Sequence, residues 1–183
     1  MTSMKYEPLN TIEFEILLAQ AQIGETAIVI SRVQADQSLA TRQGCFSSTL
    51  LTSACKPYHG KTIETMREMV QLLIKNGSNV NFNEEGGWTA LYTACAFSNG
   101  EIDIAQILLD NGANPNTRTY EGFSPLNVSI YNGNIDLALL LLSKGANLMD
   151  IGFKNKNALE LFDRCVRRHS NGDRRKELEA YLG

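Results

Sequence analysis

Residues 119–150, TYEGFSPLNVSIYNGNIDLALLLLSKGANLMD, contain the pattern that decides the fold prediction. A turn at Glu121-Gly122 comes first, and Ser124-Pro125 then suits a helix start, because Ser can cap a helix and Pro fits its first position. Residues 132–134 (Asn-Gly-Asn) interrupt this helix, and a second apolar helical pattern ends at Lys144-Gly145. The stretch therefore predicts a pair of helices that a glycine terminates.

The same pattern occurs once more upstream. TALYTA at residues 89–94 corresponds to SPLNVS at 124–129, and the later LLDNGAN and LLSKGAN segments also correspond. Gly112 and Gly145, which end the two units, are 33 residues apart. This period and these motifs resemble the ankyrin repeat. The resemblance implies an all-α solenoid of stacked helix pairs with projecting finger turns, in which neighbouring repeats bury each other's apolar faces.

The remaining sequence is divided by aligning it with these two units. We expect a flexible lead-in at residues 1–9 and a single ankyrin-repeat domain at 10–183. Its units are a degenerate cap at 10–44, repeats at 45–82, 83–118 and 119–151, and a C-terminal cap at 152–183. Asn10 and Glu13 have the spacing of a capping box, which predicts the start of the first helix. A longer turn is expected at residues 56–62.

Composition limits the classes of function. The formal net charge is −3, with 9 basic and 15 acidic residues up to position 152 and 8 basic and 5 acidic residues after it. No apolar run approaches the length of a membrane span, and the first ten residues show no apolar signal segment. The four cysteines form no C-x-x-C pair, which fits reduced thiols. We therefore expect a cytoplasmic protein that does not act at membranes.

Catalytic motifs are absent from the sequence. With two histidines in the whole chain, a His-rich metal cluster is not available, so we expect no cofactor, no metal and no small-molecule substrate. The one enzymatic alternative pairs the Cys55 thiol with His59 as its base. Cys55 and Cys95 occupy the same repeat position, however, where the family places a small buried residue. This correspondence favours a core role for both thiols.

The basic C-terminal segment offers a second alternative, binding of nucleic acid. Acidic residues are interleaved with its cations, and no aromatic residues alternate with them as single-strand binding would favour. A solvated terminal cap is therefore the favoured interpretation. The cations in question are Arg164, Arg167, Arg168, Arg174, Arg175 and Lys176.

The resemblance implies that the fingers and first helices form a concave surface that binds another protein. Aromatic residues and arginine dominate the energetics of such interfaces. Trp88 and Phe123 have the alternative role of packing against the next finger, whereas Tyr92, Tyr120 and Tyr131 are favoured as partner contacts. The predicted contact residues are Glu84, Glu85, Trp88, Tyr92, Phe97, Arg118, Tyr120, Glu121, Phe123, Asn127, Tyr131 and Asn132.

The predicted function is non-catalytic binding of a partner protein, with inhibition as one outcome. The acidic residues of this surface favour a partner with a basic surface. A narrower alternative is an immunity or antitoxin protein that neutralises one cognate toxin, which the small size and acidic charge of the chain suggest.

Overall fold

The computed structural model describes residues 9–56, 62–97, 102–149 and 157–165, together with residues 174, 176, 177 and 180. The predicted all-α architecture is confirmed for these residues, in which the one β-type pairing is an isolated bridge between Gln43 and Thr49. The helices are α1 (Thr11–Ile23), α2 (Thr26–Ala35), α3 (Leu50–Ala54), α4 (Ile63–Lys75), α5 (Ala90–Phe97), α6 (Asp103–Asp110), α7 (Pro125–Tyr131), α8 (Ile135–Ser143) and α9 (Ala158–Cys165).

Local sequence signals set the helix starts. The Glu13 amide donates to the Asn10 side chain (3.0 Å), and the Asn10 amide donates to the Glu13 carboxylate (2.8 Å), so the predicted capping box is confirmed. Ser124 caps α7 by accepting the amide of Asn127 (3.1 Å), and Pro125 occupies the first turn of that helix. The helix signals read from the sequence therefore act where they were expected.

The helices pack in two rows. The first helices of successive pairs, α1, α3, α5, α7 and α9, contact one another in order, and α2, α4 and α6 form the second row. Leu51, Leu91 and Leu126 lie in the first row at corresponding positions, and each is 1% exposed. Burying a leucine side chain contributes about 1.5–3 kcal/mol, so each pair is stabilised by the pairs stacked on it.

Asparagine side chains join successive repeats at their glycine turns. The Asn81 side chain donates to the Gly112 carbonyl (2.9 Å) and accepts the amide of Asn114 (2.7 Å). Asn116 repeats both bonds one unit later, to the Gly145 carbonyl (3.0 Å) and from the Asn147 amide (2.9 Å). These paired bonds fix the spacing of neighbouring repeats and therefore the spacing of the finger turns.

Parts of the sequence prediction lie outside the described residues. These are most of the lead-in, most of the longer turn expected at residues 56–62, which includes His59, and much of the C-terminal cap. Leu9, which was assigned to the lead-in, is buried, and its carbonyl accepts a hydrogen bond from Arg42 (2.6 Å).

Candidate protein-binding face

Three finger turns project from the described repeats, at residues 44–48, 84–88 and 119–123. In each, the amide of the first residue donates to the carbonyl of the fifth. The donor and acceptor are Gly44 and Ser48 (2.8 Å) in the first finger, Glu84 and Trp88 (2.8 Å) in the second, and Thr119 and Phe123 (2.9 Å) in the third. The same closed turn is therefore repeated three times.

Hydrogen bonds also join the fingers to one another. The Glu85 amide donates to the carbonyl of Phe46 (3.3 Å), and the Tyr120 amide donates to the carbonyl of Gly86 (2.8 Å). No earlier finger is found in described residues 9–43, and the Cys45 amide of the first finger donates to the Glu15 carboxylate (2.5 Å). The three fingers thus form one hydrogen-bonded ladder, and at its first edge the Glu15 side chain accepts the Cys45 amide.

The tips of this ladder carry exposed aromatic and acidic side chains. Phe46 is 77% exposed and Tyr120 is 80% exposed, and Glu85 and Glu121 are exposed beside them. Phe46 was missed in the sequence prediction. It occupies the position of Gly86 and adopts a φ of 56°, a conformation that costs a non-glycine residue about 1–2 kcal/mol. Aligning the first two fingers would have revealed this bulky residue at a glycine position.

Two aromatic groups lie behind the tips, where the second and third fingers lead into α5 and α7. The centroid of the Trp88 ring lies 5.2 Å from that of the Tyr92 ring and 6.0 Å from that of the Phe97 ring. In the next repeat the Phe123 and Tyr131 rings are 6.4 Å apart in an edge-to-face arrangement. Trp88 and Phe123 are half-buried, and each contacts aromatic rings of its own repeat. Phe97 and Tyr131, each 41% exposed, extend the surface.

Three of the predicted contact residues are not at the surface. Glu84 is 8% exposed, Tyr92 is 7% exposed and Asn127 is 2% exposed, so their assignment to an exposed face is wrong. The Glu84 carboxylate accepts the Thr49 amide (2.8 Å) at the start of α3. Tyr92 lies against Trp88, and Asn127 belongs to the first turn of α7, which packs within its row.

Nine predicted residues remain as candidates, and their contact with a partner stays a prediction. We call this set, with Phe46 added, the finger face. Asn132 is exposed and its side-chain NH₂ group donates to the Ala96 carbonyl of the preceding repeat (2.9 Å), so it has a structural bond as well. The finger face consists of Phe46, Glu85, Trp88, Phe97, Arg118, Tyr120, Glu121, Phe123, Tyr131 and Asn132.

Comparison with known proteins agrees with this architecture. A family model described as "Ankyrin repeats (3 copies)" matches residues 15–119 and 59–151. The chain belongs to the ankyrin-repeat family. Ankyrin repeats generally mediate protein–protein interaction.

Several curated proteins are similar in sequence to part of this chain. The chain is 46% identical over 59 residues to the 2-5A-dependent ribonuclease of Homo sapiens, and 33% identical over 78 residues to the human Protein phosphatase 1 regulatory subunit 27. It is 35% identical over 107 residues to the Ankyrin repeat and KH domain-containing protein mask-1 of Caenorhabditis elegans. These matches cover 32%, 43% and 58% of this chain, and 8%, 49% and 4% of the three relatives. The chain thus spans half or less of each relative's length.

Glu84 has a structural role that can be tested. We expect Glu84→Leu to lower the free energy of unfolding by about 1–3 kcal/mol, because the buried Thr49 amide would lose its acceptor. Glu84→Gln retains an acceptor oxygen and should cost much less. Chemical denaturation of both variants measures the difference, and equal stabilities would show that the Thr49 bond contributes nothing.

The buried Glu84 carboxyl also predicts a pH dependence of stability. Burial raises the pKa of Glu84 above its ordinary value of 4.5. The folded state therefore binds this proton more tightly than the unfolded state. The stability that comes from the raised pKa of Glu84 is fully present below the ordinary pKa and is lost as the pH rises through the raised pKa. Glu84→Gln should remove this part of the decline, and an unchanged pH profile of unfolding would contradict the assignment.

The cysteine alternative can be compared with the structure directly. Cys55 is 1% exposed and Cys95 is 0% exposed, so the predicted core position of both thiols is confirmed. Burial raises the pKa of Cys95 to about 12, which leaves little thiolate at neutral pH. We expect peptide-resolved thiol alkylation of the native ankyrin-repeat domain to modify the exposed Cys45 long before Cys55 or Cys95. Alkylation of Cys55 at the rate of an unfolded peptide would contradict this.

The basic segment is described in part. Arg174 bonds the carboxylates of Asp136 (2.9 Å) and Glu177 (2.8 Å), and this pairing raises the pKa of Arg174 and lowers the pKa of both acids. The positive charge of Arg174 is therefore paired with two acids of the ankyrin-repeat domain. The side chain of Arg164, and Arg167, Arg168 and Arg175, lie outside the described residues.

Two further findings concern metals and membranes. The described side chains contain no group of three or more His, Cys, Asp or Glu residues that could hold a metal ion. Among the helices that the structure describes, none has both the length and the apolar character needed to cross a membrane.

Proposed function

We propose that this ankyrin-repeat chain is a non-catalytic binding module whose finger face holds a protein with a basic surface. The observation that supports the proposal most is the exposure of Phe46 and Tyr120 on the first and third fingers of one hydrogen-bonded ladder. Large aromatic side chains on a pre-ordered backbone lose little entropy when a partner covers them. Their exposed rings are thus suited to be the main contributors to affinity.

Charge on the finger face favours a basic partner. Glu85 and Glu121 are exposed beside the aromatic tips, whereas Arg118 is half-buried and already interacts within the protein. Exposed acids around an aromatic centre speed the approach of a positive surface and oppose that of a negative one. The sequence predicted three acidic residues on this face, and because Glu84 is buried only the other two, Glu85 and Glu121, are exposed.

The charge proposal predicts a kinetic effect. We expect the double variant Glu85→Gln, Glu121→Gln to associate about 3- to 10-fold more slowly at low salt, with little change in dissociation. Stopped-flow or surface plasmon resonance with the isolated partner measures both rates. The matched control is Glu64→Gln with Glu68→Gln, which removes two exposed acids from α4 on the second row of helices. Association that is equally fast in both variants would reject a basic partner.

Inhibition of the partner is the narrower form of the proposal. It is favoured by the similarity to a protein whose name is that of a phosphatase regulatory subunit. An immunity or antitoxin role is one instance of such regulation. The test is the partner's activity at increasing amounts of this chain. A complex with unchanged activity would indicate recruitment or scaffolding.

A cytoplasmic location is part of the same proposal. It is supported by the sequence, in which the four cysteines form no C-x-x-C pair. Fractionation of cells that express the full chain tests it.

A further inference from the structure

The first finger, residues 44–48, carries backbone strain at its tip. Phe46 and Ser47 have φ of 56° and 57°, a region that side chains rarely adopt, whereas the second finger has Gly86 and Gly87 at the same two positions. The Phe46 ring is 77% exposed, so its burial within the protein contributes little that would offset this strain. Such a conformation persists only where neighbouring groups hold it, and it is often found at binding sites.

A carboxylate from helix α1 holds this finger. Glu15, which is half-buried, accepts the Cys45 amide through its Oε1 (2.5 Å). In the second and third fingers the amide at the same position, that of Glu85 or Tyr120, donates to a carbonyl of the preceding finger. Glu15 therefore supplies to the first finger the acceptor that a finger carbonyl supplies to each of the other two.

The first residue of the finger, Gly44, allows this close approach to α1. A Cβ built at Gly44 would collide with the Oε1 of Glu15 and lie 2.5 Å from the Cδ1 of Leu18. Gly44 has a φ of −98° in an extended backbone that any residue adopts, so a glycine is needed here for the contact with α1 and not for the turn. The Glu15 carboxylate also bonds the Cys45 thiol and thereby raises the pKa of that thiol.

We propose that Glu15 is a positioning residue of the finger face, which holds the first finger in its strained turn and so presents the Phe46 ring to the partner. This inference rests on the proposed function, because it requires the partner to contact that ring. A finger that is ordered before binding loses less entropy when the partner covers it. Since Glu15 acts through Phe46, loss of its carboxylate weakens binding only while the ring is present.

Amide hydrogen exchange of the free full chain tests the holding step without a partner. Glu15→Ala should speed exchange of the Cys45 amide about 10-fold while the amides of α5 keep their protection. Gly44→Ala should have the same effect, because its Cβ displaces the Glu15 carboxylate. The matched control is Glu25→Ala, which removes an exposed acid that makes no capping bond and should exchange as the wild type does. Unchanged exchange of Cys45 in Glu15→Ala overturns the proposal.

Affinity tests the link from Glu15 to the Phe46 ring. The probe is the purified protein that the immobilised wild-type chain captures from its native cell. We expect Glu15→Ala to bind this protein about 3- to 10-fold more weakly, and Glu15→Gln, which keeps an acceptor oxygen, to bind it nearly as the wild type does. In the Phe46→Ala background, Glu15→Ala should cause no further loss.

Two kinds of negative result can be told apart. A further loss in the Phe46→Ala background, or an equal loss in Glu15→Gln and Glu15→Ala, overturns the inference alone, because either shows that the Glu15 charge itself acts on the partner. If Phe46→Ala and Tyr120→Ala both bind as the wild type does, the proposed function fails, and the inference fails with it whatever the exchange result.

Discussion

The double variant Tyr120→Ala, Tyr131→Ala is expected to bind the partner protein at least about 100-fold more weakly than the wild type. A tyrosine at the centre of an interface contributes on the order of 2 kcal/mol, and every 1.4 kcal/mol changes affinity tenfold. Tyr120 is 80% exposed and Tyr131 is 41% exposed, so the loss should come from the complex and not from the fold. Calorimetric titration of the isolated partner measures it.

Two controls separate binding from stability. Replacing both tyrosines by phenylalanine keeps the rings, including the edge-to-face contact of Tyr131 with Phe123, and should restore most of the affinity. Gln71→Ala with Lys75→Ala removes two exposed side chains from α4 and should leave affinity unchanged. If this α4 variant weakens binding as much as the tyrosine variant, the finger face is not the interface.

Gly87→Ala is expected to lower the free energy of unfolding by about 2–5 kcal/mol. Gly87 has a φ of +83°, which alone costs an alanine about 1–2 kcal/mol. A Cβ there would also lie 2.7 Å from the Arg118 carbonyl oxygen and 2.7 Å from the Cα of Thr119, which are backbone atoms at the start of the next finger. Forcing these backbones apart adds about 1–3 kcal/mol. Denaturant unfolding measures the total.

Gly112→Ala is the matched control for this variant. Gly112 has nearly the same φ, +84°, but a Cβ there would meet nothing within 4 Å. Its cost should therefore be the conformational part alone, about 1–2 kcal/mol. Similar losses in the two variants would show that the second and third fingers do not press against each other. A larger loss at Gly87 would establish the tight ladder on which the finger face depends.

The architecture was predictable because its signals are local and repeated. Asn10 with Glu13, and Ser124 with Pro125, start helices through bonds to backbone groups within one turn. Gly77, Gly112 and Gly145 end the three central units and are 35 and 33 residues apart. Such features depend on a few neighbouring residues, so the sequence is sufficient to locate them.

Exposure on the candidate face was harder to predict because it depends on neighbours from other repeats. The alignment places Glu84 correctly in the second finger, but its carboxylate turns to the Thr49 amide, 35 residues away in sequence. Tyr92 is likewise covered by Trp88, which an alignment to single repeats does not show. Phe46 was missed for a related reason, since its finger aligns poorly and its large side chain stands at a glycine position.

Helix α1 shows a further limit of periodicity. The pattern of α1 indicates a helix with apolar residues on two opposite sides, and periodicity does not show which of the two is buried. The sequence prediction treated the first unit as a cap that covers the core on one side. The exposed isoleucines of α1, among them Ile12 and Ile16, became apparent only when the buried side of the helix was known.

Site-specific photo-crosslinking tests the central claim most directly. A photoreactive phenylalanine analogue is placed at Tyr120 on the finger face or at Gln71 on α4, and each full chain is irradiated with the isolated partner protein. The account predicts a covalent adduct from position 120 and none from position 71. Adducts from position 71 with none from position 120 would contradict it.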